Sequence, residues 1–234
     1  MIVTERPGFG ASTHHYEGTV VDHADDLVAI LDELEIQSLP VVGVSGASLF
    51  VLALAARHPE RVQSAAIVVG AAPLDEGEAD QLIGLNADAY RLAQDGDRDG
   101  MLRLLAPLRE AMLVDPLASF RSVMNAAPPR DQAIMNDSRW REMLTRGLLE
   151  ALRPGVDGWF DESMLLVEGW VEVDISAVQA GITWWHGDED RNAPLSAARR
   201  LVTRLADAHL IVWPAAGHLT AYQEEGAILD RLLA

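Results

Sequence analysis

The most apolar stretch of the chain runs from Leu39 to Ala56, and the fold must bury it. A spanning helix needs about 20 continuous apolar residues. Gly43, Ser45, Gly46 and Ser48 interrupt the run, so it does not read as a membrane span. It reads instead as a buried strand from Leu39 to Val44, a tight turn, and a helix from Gly46 to His58 closed by Pro59. A fully apolar strand feeding directly into a helix belongs in a parallel sheet covered by helices.

The flanking sequence repeats this rhythm. Val20, Ala24, Leu27, Ile30, Leu31 and Leu34 fall on one face of a helix over Thr19 to Ile36. Ser64 to Val69 is a second buried strand. From Pro73 to Val178 no further buried strand is evident. Met101, Leu104, Leu105, Leu108 and Met112 keep helical spacing there, as do Trp140, Met143, Leu144 and Leu148. Pro107, Pro116, Pro128, Pro129 and Pro154 punctuate the region. The strands then return at Gly181 to His186 and His209 to Trp213, with helices over Pro194 to Ala206 and Leu219 to Leu233. Trp184 and Trp185 straddle a strand, which sends one of them into the core. Before all of this, Met1 to Thr4 is a short apolar strand and Glu5 to Gly10 a loop. The expectation is an α/β fold with a mostly parallel sheet flanked by helices. Its core comprises residues 1–72 and 177–234, and residues 73–176 form an inserted helical cap.

Composition narrows the chemistry. The formal net charge is −18, which argues against nucleic acid and anionic membrane as partners. Cys is absent, so there is no disulfide and no thiol nucleophile, and a metal would need His and carboxylates. His14, His15, His23, His58 and His209 show no metal-ligand spacing beyond the adjacent pair. Met1 to Arg6 has no basic segment followed by an apolar one, and a cytoplasmic protein is expected.

Three short motifs follow three of the strands. Gly43-Val44-Ser45-Gly46-Ala47 lies between strand and helix, where a strained turn would project the Ser45 hydroxyl over a helix N-terminus. Small residues two positions either side keep strand and helix apart, and the Gly46 amide can donate to an oxyanion. Ala47 departs from the usual glycine by one methyl. His186-Gly187-Asp188-Glu189-Asp190 and Ala216-Gly217-His218 each follow a later strand. Singly, each has a plainer reading: a serine in a glycine turn, a solvated acidic loop, an exposed histidine. Together they give Ser, Asp and His at successive strand ends.

In that order the chain resembles the α/β-hydrolase superfamily, in particular its cap-bearing bacterial hydrolases. Arg6-Pro7-Gly8-Phe9-Gly10-Ala11-Ser12 resembles the loop after that fold's fourth strand, His186 to Asp190 the loop after its seventh, and Gly217-His218 the pair after its eighth. The resemblance implies that Ser45 is the nucleophile, His218 the general base and later the acid, and Asp190 the carboxylate that orients the imidazole. Asp190 is preferred to Asp188 as the third residue after Gly187, and Asp75 is the lesser alternative. Arg6 pairs with an acid to hold its loop and is not catalytic. The implied reaction is hydrolysis of an ester, thioester, amide or lactone in a small, apolar substrate, without a cofactor.

The resemblance also implies something missing. Three strands and a His-Gly loop with the second oxyanion amide precede the Arg-Pro-Gly-Phe-Gly loop in such proteins, and here only Met1 to Glu5 do. A start assigned too late, with Met1 internal to a longer protein, is the leading explanation. The gap leaves the first strand to re-pair with Leu39 to Val44, to hang loosely or to recruit another chain, and it opens a sheet edge to self-association. The competing reading is a hydrolase-like protein that binds a small apolar ligand without turning it over.

Overall fold

The computed structural model describes residues 1–118 and 127–234. Helix α1, Val20–Glu33, starts at Thr19, whose hydroxyl accepts from the Asp22 amide while the Asp22 carboxylate accepts from the Thr19 amide. This capping box satisfies two of the donors that a helix start leaves open. Strand β1, Leu39–Val44, leads into α2, Ala47–Arg57, and then into β2, Val62–Val68. Strand β3, Gly181–Gly187, is followed by α8, Leu195–Val202, and by β4, Ala208–Trp213. The four strands are parallel in the order β1-β2-β3-β4. Parallel order puts every strand's C-terminal end along one edge of the sheet, where ligands bind in folds of this kind.

Both faces of the central strands β2 and β3 are covered, which is why these strands are largely apolar. Successive side chains of a strand point to opposite faces. Trp184 therefore packs with Leu49, Leu52, Ile67 and Leu201 on one side. Trp185 packs with Val68, Trp213 and Ile228 on the other. Both indoles are buried rather than one. At about 25 cal/mol per Å² over 150–250 Å² of ring, burying each is worth on the order of 4–6 kcal/mol.

Between β2 and β3 the described residues hold no strand. They form α3, Gly84–Gln94; α4, Arg98–Val114; α5, Pro129–Asn136; α6, Ser138–Ala151; and α7, Asp157–Glu168. Met101, Leu105, Phe160 and Met164 build a separate small core among these helices. Pro107 lies inside α4 instead of ending it. Residues 119–126 of the expected cap lie outside the described residues. The chain finishes with α9, Glu225–Leu232.

Three expectations are corrected. Met1 to Thr4 forms no strand, and Val3 is 79% exposed. A four-residue apolar run needs a neighbour to satisfy its backbone, and β1 is not that neighbour, since β1 pairs with β2 alone. The strand expected to be buried over Leu39 to Val44 is covered only in part: Val42 and Val44 point to one face of this outermost strand and are 41% and 42% exposed there. The single helix expected over Leu219 to Leu233 is also divided. A 3-10 turn, His218–Tyr222, precedes α9 and holds the histidine at its start.

Candidate active site

The turn between β1 and α2 is as strained as the sequence requires. Ser45 has φ 57°, a left-handed conformation that costs a side-chain-bearing residue roughly 1–2 kcal/mol. Hydrogen bonds on both sides hold it there: its amide donates to Val68 O at 2.9 Å, and Ala71 donates to Ser45 O at 3.1 Å. Gly43 is needed for clearance, because a methyl at that position would stand 2.6 Å from Val51 Cγ2 and 3.0 Å from Ala47 O. The side chain of Ser48 is buried and donates to Ala71 O at 2.7 Å, tying α2 to the loop after β2.

Ser45, His218 and Asp190 meet at the sheet's C-terminal edge. His218 Nε2 lies 3.0 Å from Ser45 Oγ, and His218 Nδ1 lies 2.8 Å from Asp190 Oδ2. A carboxylate can only accept, so Nδ1 carries the imidazole proton and Nε2 accepts from the serine hydroxyl. The other oxygen of Asp190 accepts from the amides of Asn192 at 2.8 Å and Ala193 at 3.0 Å. The carboxylate is thereby fixed on three sides.

Burial alone would lower the pKa of His218, but the charge and hydrogen bond of Asp190, with a contribution from Asp131, carry it above the ordinary histidine value. Burial would raise Asp190, but His218 and the backbone amides hold it below the usual carboxylate range. His186, beneath them in β3, accepts from Trp184 Nε1 at 3.1 Å and donates to Ala193 O at 2.9 Å. Burial pushes its pKa down, so it stays neutral under the pair.

A cavity of about 300 Å³ opens beside Ser45 and Gly46. Leu74, Leu85, Trp159 and Leu166 give it apolar walls, and Asn86, Tyr90, Asn192 and Glu162 give it polar ones. Glu162, on α7, has one oxygen against Gly46: a methyl on Gly46 would stand 2.8 Å from Oε1. The other oxygen accepts from Arg6 Nε at 2.9 Å and Nη2 at 2.6 Å. Arg6 thus pairs with an acid, as its loop position suggested, and its guanidinium also lies over the rings of Phe9 and Phe50.

The structure brings together all four residues singled out in the sequence: Ser45, Gly46, Asp190 and His218. Asp188 is exposed on its loop. Asp75 pairs with Arg200 at 3.1 Å, and His14 lies 2.6 Å from Asp161. Sequence reasoning missed Glu162 and Asp131, a buried carboxylate on α5. Neither follows a strand, and nothing in their local sequence marks them. No group of three or more metal-binding side chains occurs among the described residues, and no described helix is long and apolar enough to cross a membrane.

This sheet, elbow and three-residue relay define a class, and the sequence profile of the α/β hydrolase fold family matches residues 1–225. The chain belongs to that family. It is 30% identical to the 2-hydroxymuconate semialdehyde hydrolase of Pseudomonas sp. (strain CF600), over 93% of this chain and 66% of that protein. It is 28% identical to the protein of the same name from Pseudomonas putida, over 94% of this chain and 70% of that one. The chain thus spans about two thirds of the length of these relatives. The enol-lactonase from Burkholderia xenovorans LB400 superposes with a TM-score of 0.66 at 17% identity, over 97% of this chain and 76% of that structure. At that identity the likeness is one of fold.

Proposed function

We propose that this protein is a serine hydrolase that cleaves an ester, thioester, amide or lactone bond of a small, largely apolar substrate through an acyl-enzyme. The observation that carries the reading is the hydrogen-bonded chain from Ser45, which lines the cavity, through His218 to Asp190. Ser45 attacks the carbonyl carbon while His218 takes its proton. His218 then returns that proton to the leaving group, and water repeats the cycle on the acyl-enzyme. Asp190 holds the imidazole and stabilises its cation. The Gly46 amide, at the start of α2, donates to the oxyanion. Helices α3 to α7 serve as the cap that shapes the cavity. A relative named as a semialdehyde hydrolase favours a small carbonyl compound.

A fluorophosphonate probe should label the full chain, and Ser45→Ala should abolish both labelling and hydrolysis of p-nitrophenyl esters. A folded chain that neither labels nor hydrolyses would reject this reading.

One observation favours a second reading, a binding protein with impaired turnover. The Glu162 carboxylate lies against Gly46, where a second donor would help the oxyanion and an anion opposes it. Small carbonyl compounds that raise the melting temperature without being consumed would select that reading.

A further inference from the structure

The helices between β2 and β3 reach the site at a second place, through α5. Arg130 of α5 donates to Glu224 Oε1 at 2.7 Å and, at 3.4 Å, to Gln223 Oε1, just past the His218–Tyr222 turn. Trp140 of α6 packs on Tyr222 in the same turn, with ring centroids 5.8 Å apart. Between these two contacts, Asp131 is directed at the peptide that carries the imidazole. It is 1% exposed, and its Oδ1 has no hydrogen-bond partner among the described residues. A methyl on Gly217 would stand 2.3 Å from Asp131 Oδ2 and 2.7 Å from its Cγ. The glycine before the histidine is therefore the residue that lets this carboxylate approach.

A carboxylate buried with an unpaired oxygen is expensive, and a core position of that size would be better filled by an apolar side chain. Such groups collect at functional sites. We propose that Asp131 is a positioning residue for His218: a second carboxylate, delivered by α5, that fixes the Gly217-His218 main chain and adds negative charge favouring the imidazolium. This rests on the reading of His218 as the general base. The titratable groups around His218 are Asp190 beyond β3, His186 in β3 and Asp131 on α5, with Ser45 at the elbow. Asp190 and Asp131 carry the negative charges among them, and both act to raise the histidine. In return the His218 charge and the amides of Leu219 and His218 draw the Asp131 carboxyl down, against burial, which raises it overall.

The test is the titration of the His218 ring followed by NMR in the full chain, with Asp131→Asn compared to the unsubstituted protein. The asparagine keeps the shape and removes the charge, so the His218 titration should shift to lower pH. The acid limb of kcat/KM for a p-nitrophenyl ester should move down with it. Gly217→Ala provides a second route, since its methyl displaces the carboxylate without deleting it, and it should move the titration in the same direction. A folded Asp131→Asn or Gly217→Ala protein with an unmoved His218 titration overturns the proposal. The NMR readout needs no turnover, so a protein that fails to label at Ser45 would reject the proposed function and still decide the role of Asp131.

Discussion

Ser45 is held in a left-handed backbone that a serine adopts only under compulsion, and the compulsion comes from hydrogen bonds to Val68 and Ala71. Its partner relies equally on a neighbour: the proton on His218 Nδ1 is fixed by Asp190. Asp190→Asn offers a donor where an acceptor is needed and selects the wrong tautomer, so kcat should fall by about 10³–10⁴-fold in an ester assay, with folding retained. His218 is raised by Asp190, so the same substitution should also shift the acid limb of the residual activity to lower pH. At Glu162 the expected direction is the reverse. Glu162→Gln keeps an acceptor for Arg6 but removes an anion from the neighbourhood of the oxyanion. Turnover of a neutral ester should rise severalfold, and a fall would assign the carboxylate to substrate binding instead. The residues readable from the sequence were those whose place follows from a strand: Ser45, Asp190 and His218 each lie in the loop or turn after one. Glu162 and Asp131 were not readable, because their roles depend on how helices fold back over the sheet.

At the scale of elements, legibility followed apolar sequence. β1 to β4 and α2 are almost uniformly apolar, and their period and length fixed them without tertiary knowledge. Met1 to Thr4 is equally apolar, but a strand exists only with a partner, and no apolar count supplies one. The last segment failed differently, since the His218–Tyr222 turn tightens to 3-10 geometry before α9 begins. The Arg6 loop and α7 show how close contact between elements serves the site. A methyl on Gly158 would stand 2.6 Å from the carbonyl carbon of Gly8 and 3.0 Å from Pro7 O. The two backbones touch, and Glu162 lies one turn further along α7. Gly158→Ala must push loop and helix apart, at a cost of ~1–3 kcal/mol. The melting temperature should drop, and the Arg6–Glu162 pair should loosen with it. If stability falls while turnover is unchanged, the loop contact is structural and does not position Glu162.

The molecule as a whole carries a net charge of −18, and its response to acid separates that charge from its buried histidines. His23 is 8% exposed, packs edge-on against Phe50 at 4.7 Å between centroids, and leaves Nδ1 without a partner among the described residues. Burial, reinforced by the Arg6 charge, lowers its pKa to about 4. Burial lowers His186 as well. In the unfolded chain both titrate near 6.5, so between about pH 6.5 and 4 the unfolded state binds more protons and stability falls. His23 alone accounts for roughly 3 kcal/mol of that loss at its full extent. His218 works the other way: its pKa is raised, so its contribution is present below about 6.5 and disappears as pH rises through the folded value. Lower still, Glu78, held at about 2 chiefly by its hydrogen bonds to Arg200, contributes stability above its unfolded pKa that is lost as pH falls through 2. Relief of self-repulsion on approaching the pI opposes these losses, and salt screens it. Urea unfolding at about 0.5 M salt therefore isolates the histidines. The midpoint should fall from about pH 6.5 to pH 4, and His23→Leu, with no proton to bind, should flatten much of that slope. An identical slope in His23→Leu would mean that His23 is already protonated in the fold, and that the acid sensitivity arises at His186.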